Sequence, residues 1–192
     1  MAATTAVNEP APDTFVRAVN QLRSGAVRAR ITIAEATAPR HIAPYSFALS
    51  ADVDPPQGFK AEGRLILLHD PDGHDSWNGT LRLVTYLSVD VDLEMANDPM
   101  LSPVAWSWLL EGLGACDARF TAAGGTVTCT TSTRFGDLRD PRDFGADSEA
   151  VLELRASWTP CGDDLAAHTR AWQRLLAAAT GLPPDEQAPF SS

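Results

Sequence analysis

Leu81-Arg82-Leu83-Val84-Thr85-Tyr86-Leu87-Ser88-Val89-Asp90-Val91-Asp92-Leu93 is the longest alternation in the chain. Leu81, Leu83, Leu87, Val89, Val91 and Leu93 point one way, and Arg82, Tyr86, Ser88, Asp90 and Asp92 the other. A period of two with one apolar and one polar face predicts a strand that is dry on one side and wet on the other, the pattern of antiparallel sheets. On its N-terminal side, the segment 59–69 carries Leu65-Ile66-Leu67-Leu68, apolar on both faces, and predicts a central strand. Asp54-Pro55-Pro56-Gln57-Gly58 reads as the turn before it. Tyr45, Phe47, Leu49, Ala51 and Val53 alternate as a further strand, and Val27, Ala29, Ile31 and Ile33 as another, with Pro39 and Pro44 between.

Helical spacing replaces alternation at both ends of this run. Asp13 reads as an N-cap, Phe15, Ala18, Val19 and Leu22 as one face, and Gly25 as the stop. A helix over 102–116 follows the long strand. The turn Ala123-Gly124-Gly125 introduces a Thr-rich strand over 127–135. Leu152, Leu154, Ala156 and Trp158 mark one more strand. Asp163 then caps a helix bearing Leu165, Trp172, Leu175, Leu176 and Ala179, stopped by Gly181 and Pro183-Pro184. The order α-β-β-β-β-α-β-β-α predicts an α+β domain: a mainly antiparallel sheet of about six strands, with three helices on one face. It is similar, in order alone, to type III secretion chaperones. One domain is expected over 13–182, between a disordered tail at 1–12 and a second tail at 183–192.

The 192 residues carry a formal charge of −10. Residues 1–69 hold 7 basic and 6 acidic groups, leaving 8 against 19 for the rest. Such a surface repels a phosphate backbone, so nucleic acid is not the expected partner. No stretch is long and apolar enough to cross a membrane, and the first residues lack the features of a secretory signal, so the expectation is cytoplasmic. Cys116, Cys129 and Cys161 are widely spaced and read as reduced thiols. Neither a cofactor nor a resident metal is expected.

Asp70-Pro71-Asp72-Gly73-His74-Asp75 is the densest set of potential ligands, and with His69 and Trp77 it forms a candidate ligand loop: His69, Asp70, Asp72, His74 and Trp77. Oxygen ligands at alternate positions suit calcium, and an EF-hand loop begins this way. Asp75 stands where that loop needs glycine and Leu81 where it needs glutamate, so an ordinary turn is the stronger reading. Asp90-Val91-Asp92 and Asp52-Val53-Asp54 read as the wet face of strands rather than as metal pairs. No G-x-S-x-G elbow is present, Cys161 and His168 form no recognisable dyad, and Gly112-x-Gly114 ends a helix instead of opening one. No catalytic residue is assigned.

The central helix is apolar on two sides. Trp106, Leu109, Leu110 and Leu113 read as its core stripe. Leu101, Val104, Trp108 and Ala115 lie nearly opposite, since Trp106 and Trp108 are about 200° apart at 3.6 residues per turn. Leu101, Val104 and Trp108 are therefore a candidate partner surface, against the alternative that they are buried within the domain.

Five stretches carry a family resemblance: His69-Asp70-Pro71 through Trp77-Asn78-Gly79-Thr80, residues 101–110 with Trp106-Ser107-Trp108, Gly125-Thr126-Val127-Thr128, Leu154-Arg155-Ala156-Ser157-Trp158-Thr159-Pro160, and Gly181-Leu182-Pro183-Pro184. Together they resemble an uncharacterised actinobacterial family, domain of unknown function number three thousand. The resemblance implies no activity, cofactor or site residue. It implies a gene context beside a ribonuclease-D-like gene, and hence a reading as an accessory factor in RNA metabolism. That reading needs Arg28, Arg30, Arg64, Arg82 and Arg155 to gather on one sheet face. The leading expectation is a non-enzymatic, cytoplasmic protein-interaction or self-associating domain, with a protein partner or a homodimer. The third is a small-ligand or metal-binding enzyme using the loop over 69–82.

Overall fold

A computed structural model describes residues 11–25, 30–53, 60–138 and 148–183. The two expected tails and the turn at 54–58 fall wholly or mostly outside these residues, as do Val27, Arg28 and Ala29. Helix α1 (Asp13–Ser24) buries Ala18, Val19 and Leu22, the face its spacing predicts. Asp13 lies inside the first turn and does not cap it, because Val16 N–H already bonds to Pro12 O.

Four strands then form an antiparallel meander: β1 (Ile31–Ala36), β2 (Tyr45–Val53), β3 (Ala61–His74) and β4 (Gly79–Val91). The four-residue helix α2 (Leu93–Ala96) and the helix α3 (Leu101–Ala115) follow. The chain returns as β5 (Phe120–Thr133) on the outside of the sheet, and β6 (Ser148–Pro160) fills the place between β4 and β5. Helix α4 (Ala166–Ala179) completes the core. The sheet order is β1-β2-β3-β4-β6-β5, six strands, antiparallel at every junction. The α+β class, the strand number and the packing of the first and last helices on one face agree with the sequence.

Alternation explains the layering. Leu83, Thr85, Leu87, Val89 and Val91 of β4 are buried beneath the helices, and Arg82, Tyr86 and Ser88 face the other, open side. Ala34, Ser50, Arg64, Tyr86, Arg155 and Thr126 form one row across that open side through successive pairings. On the covered side α4 is the centre, with ten residues buried, among them Trp172, Leu175 and Leu176. Gly112 lets α3 approach it: a β-carbon there would sit 2.8 Å from Ala171 O. Asp164, one residue after the predicted cap, accepts the Ala167 N–H at 3.1 Å.

Several boundaries differ from expectation for physical reasons. Arg30 takes a positive φ of 66°, so the first strand begins at Ile31. Ala123-Gly124-Gly125 is not a turn but part of β5, where a register shift between Thr121 and Gly124 marks a bulge. Glycine is required at 125 because a β-carbon would come within 2.3 Å of Arg155 O and 2.9 Å of the Trp106 ring. Leu93, assigned to the long strand by its parity, belongs to α2 and is 40 % exposed.

Candidate functional site

The segment expected to be a ligand loop is the end of a hairpin. β3 runs on to His74, one turn of 3-10 helix covers Asp75–Trp77, and β4 starts at Gly79. His69 is buried between Phe15 and Tyr45, its ring 6.1 and 5.9 Å from theirs. Its Nδ1–H donates to Thr80 O at 2.9 Å, leaving the imidazole occupied in bracing the hairpin. Asp70 Oδ1 accepts the Asp72 N–H at 3.1 Å, a local turn bond. His74 Nδ1 accepts from Ser76 N at 3.3 Å, and its ring stacks on Trp77 at 5.2 Å. Trp77 O takes the hydroxyl of Thr159. The His69 and His74 rings, one Asp70 carboxylate oxygen and the Trp77 carbonyl are thus committed within the loop or to β6. Among the described residues no three His, Cys, Asp or Glu side chains are placed to share a metal ion.

The two-sided reading of α3 needs correction. Its buried line is Leu101, Ala105, Leu109, Gly112 and Leu113. Leu101, 6 % exposed, is core and unavailable to a partner. The small residues Ala105 and Gly112 carry the closest approach, so counting only large side chains placed the core on the wrong arc. Trp106 and Trp108 stand on the two borders of that line, neither of them at its centre. Trp106 lies over Gly125 of β5, and half-buried Trp108 faces α4. There it lines a cavity of about 310 Å³ with Gly112, Arg174, Ala177 and Leu182. Leu110, expected in the core, is 37 % exposed, and Val104 is 39 % exposed.

The remaining chemical candidates are structural. His168 is fully buried, and the Trp158 indole N–H donates to its Nδ1 at 3.1 Å. Burial lowers its pKa to about 4, against a smaller opposing pull from Asp164. Cys161 bonds weakly to Thr121 and Thr159, so no thiol–imidazole pair forms. Burial raises the Cys116 thiol pKa, the reverse of nucleophile activation. Of the arginines needed for an RNA-binding face, Arg64, Arg82 and Arg155 do share the open side of the sheet. Arg82 is spent inside the protein, donating to Ala122 O, Thr159 Oγ1 and Ser157 Oγ. Arg155 pairs with Glu153 at 3.1 Å and lies over the Tyr86 ring. Arg30 sits in the turn before β1, and Arg28 lies outside the described residues.

What the sequence reading overlooked lies between β4 and α3. Leu93, Met95, Met100 and Val104 are 40, 44, 57 and 39 % exposed, four of the eight large apolar side chains exposed among the described residues. Asp98 joins the two helices into one tight shelf: its N–H bonds to Met95 O, its carbonyl takes the Leu101 N–H, and its Oδ1 takes Met100 N–H at 2.8 Å. Beside α2, Asp90, Asp92, Glu94 and Met95 line a groove of about 820 Å³ with Ser148, Glu149 and Ala150 of β6. Glu149 is neutralised by Arg134 at 2.5 Å, whereas Asp90, Asp92 and Glu94 have no ion pair among the described residues. A sequence signal existed: from Leu83 to Ala118 there are six carboxylates and not one lysine or arginine. No described helix is long and apolar enough to cross a membrane.

No curated protein and no solved structure matches this chain. A family model matches residues 11–188, nearly the whole length, and covers every described element. The chain therefore belongs to the family described as Protein of unknown function (DUF3000).

Proposed function

We propose that this protein is a non-enzymatic interaction domain whose working surface is the shelf over residues 90–104, and that its partner is a basic amphipathic segment. One observation carries the reading: half of the large apolar side chains exposed among the described residues belong to this segment, beside three carboxylates that have no counter-ion among those residues. Exposed methionines adapt to varied apolar shapes, and unpaired acids attract lysine and arginine while repelling acidic chains. Val104 remains from the surface first assigned to α3; Leu101 and Trp108 do not belong to it.

The test uses a lysine–leucine amphipathic helical peptide as the probe, titrated by calorimetry against the purified chain. Replacing Met95 and Met100 together by Ser keeps the charge and should weaken binding by at least about tenfold. Replacing Asp90, Asp92 and Glu94 by their amides should flatten the salt dependence. Equal affinity for wild type and both variants would remove the shelf from consideration.

A further inference from the structure

We infer that β5 pairs with β5 of a second copy of this chain, antiparallel, across a two-fold axis at Cys129. The strand is an edge of the sheet and is 14 residues long. It contains no proline and no charged residue, although proteins ordinarily protect long edges with one or the other. Beyond the bulge, Gly124 to Thr133 keep regular pairing with β6, a stretch of about 31 Å at the antiparallel rise.

Self-pairing suits this stretch better than pairing with an arbitrary peptide. Directly opposed residues in an antiparallel pair point to the same side, so a two-fold axis maps each residue onto one of like parity. With Cys129 at the axis, Thr128 meets Thr130 of the second copy, Thr126 meets Ser132, and Val127 meets Thr131. Threonine opposite threonine or serine is a favourable cross-strand pair. Arg134, already held by Glu149, falls opposite Gly124, so among residues 124–134 no charge meets a charge. That neutrality lets two copies approach on this side although each chain carries −10.

Two exposed apolar groups find cover in the same arrangement. Phe135, 74 % exposed, is the most exposed large apolar side chain among the described residues. It stands two residues past the end of β5, at the end of the shared seam that the bulge of the second copy would meet. Leu110, one turn along α3 from the Trp106 that lies over Gly125, is on the flank that the two helical layers would share. The inference does not depend on the reading of the shelf at 90–104: α2 borders β5, but the two surfaces are read by different probes.

The experiment measures the mass of the purified chain by light scattering and sedimentation over a range of concentrations, together with hydrogen exchange of the β5 amides. A dimer is expected, with exchange in 124–133 slowing as concentration rises. In the variant Thr128→Lys/Thr130→Lys, lysine would face lysine across the axis, and the dimer dissociation constant should rise at least about tenfold. Both threonines are exposed, so the variant's thermal melt, taken where wild type is monomeric, should be unchanged and shows that the monomer still folds. A wild type that stays monomeric at all concentrations overturns the inference. So does a dimer that survives the lysines, or one with unaltered β5 exchange.

Discussion

The sheet ends in two unlike edges. β1 is six residues long, follows a strained turn at Arg30, and carries Glu35, which pairs with Arg23 of α1 at 2.7 Å. Arg23 also lies 5.1 Å from the Phe47 ring of β2, so a cation stands guard at that end. β5 is more than twice as long and carries no charge. The difference is not one of support from below, for β5 is held by Trp106 and by β6, itself tied to α4 through Trp158 and His168. One edge is short and carries a charge pair; the other is well built and, among the described residues, open.

Four measurements put the two edges to the test. Gly125→Val has the largest expected effect, because the added carbons meet backbone at Arg155 and Ala156, which cannot yield. It should cost about 3 kcal/mol or more in urea unfolding, whereas Ala34→Val on the exposed side of β1 should stay within about 0.5 kcal/mol. Similar losses at both positions would mean that β5 is as loosely held as β1.

Acid should loosen the β5 side through His168. Its pKa in the folded protein is about 4, below the ordinary 6.5, so the unfolded chain takes up the proton first as pH falls. Stability attributable to neutral His168 should therefore decline from pH 6.5 to pH 4 and level off below, by about 3 kcal/mol in total. Subtracting the urea-unfolding profile of His168→Phe isolates this contribution from the carboxylates; parallel profiles would contradict it.

Trp106→Ala should cost about 2 kcal/mol by uncovering Gly125, and Trp108→Ala somewhat less, since Trp108 borders a cavity. Thermal melts of the pair would show whether α3 leans on β5 or on α4. The smallest effect belongs to Arg23→Ala. The side chains of the Arg23–Glu35 pair are 46 and 57 % exposed, and such pairs contribute at most about 1 kcal/mol. If its loss left stability intact but let β1 self-associate, its role would be protective.

The sheet was legible in the sequence because alternation in β2, β3, β4 and β6 records which side is buried. The order of β5 and β6 was not, since nothing local says that the later strand inserts inside the earlier one. The glycines at 124–125 were misread as a turn because the feature they serve, a bulge beneath an indole, depends on residues far away in the chain. The α3 surface failed for a related reason. Its contact line runs through Ala105 and Gly112, whose smallness matters only once a neighbour is present. His69 and His74 looked like ligands, yet their rings are used up by Phe15, Tyr45 and Trp77, contacts that composition cannot reveal.

α4 has a consequence for how the chain is made. Every strand precedes it, yet ten of its residues lie at the middle of the core. A ribosome that has delivered the meander and α3 has delivered a half-roofed sheet, whose leucines await a lid not yet translated. Assembly cannot proceed strictly from the N-terminus. The chain must stay unsettled until α4 emerges, and then close in one cooperative step. A nascent chain stalled before Ala166 should accordingly remain sensitive to protease along β3 and β4, and gain resistance only after Ala179 clears the exit tunnel.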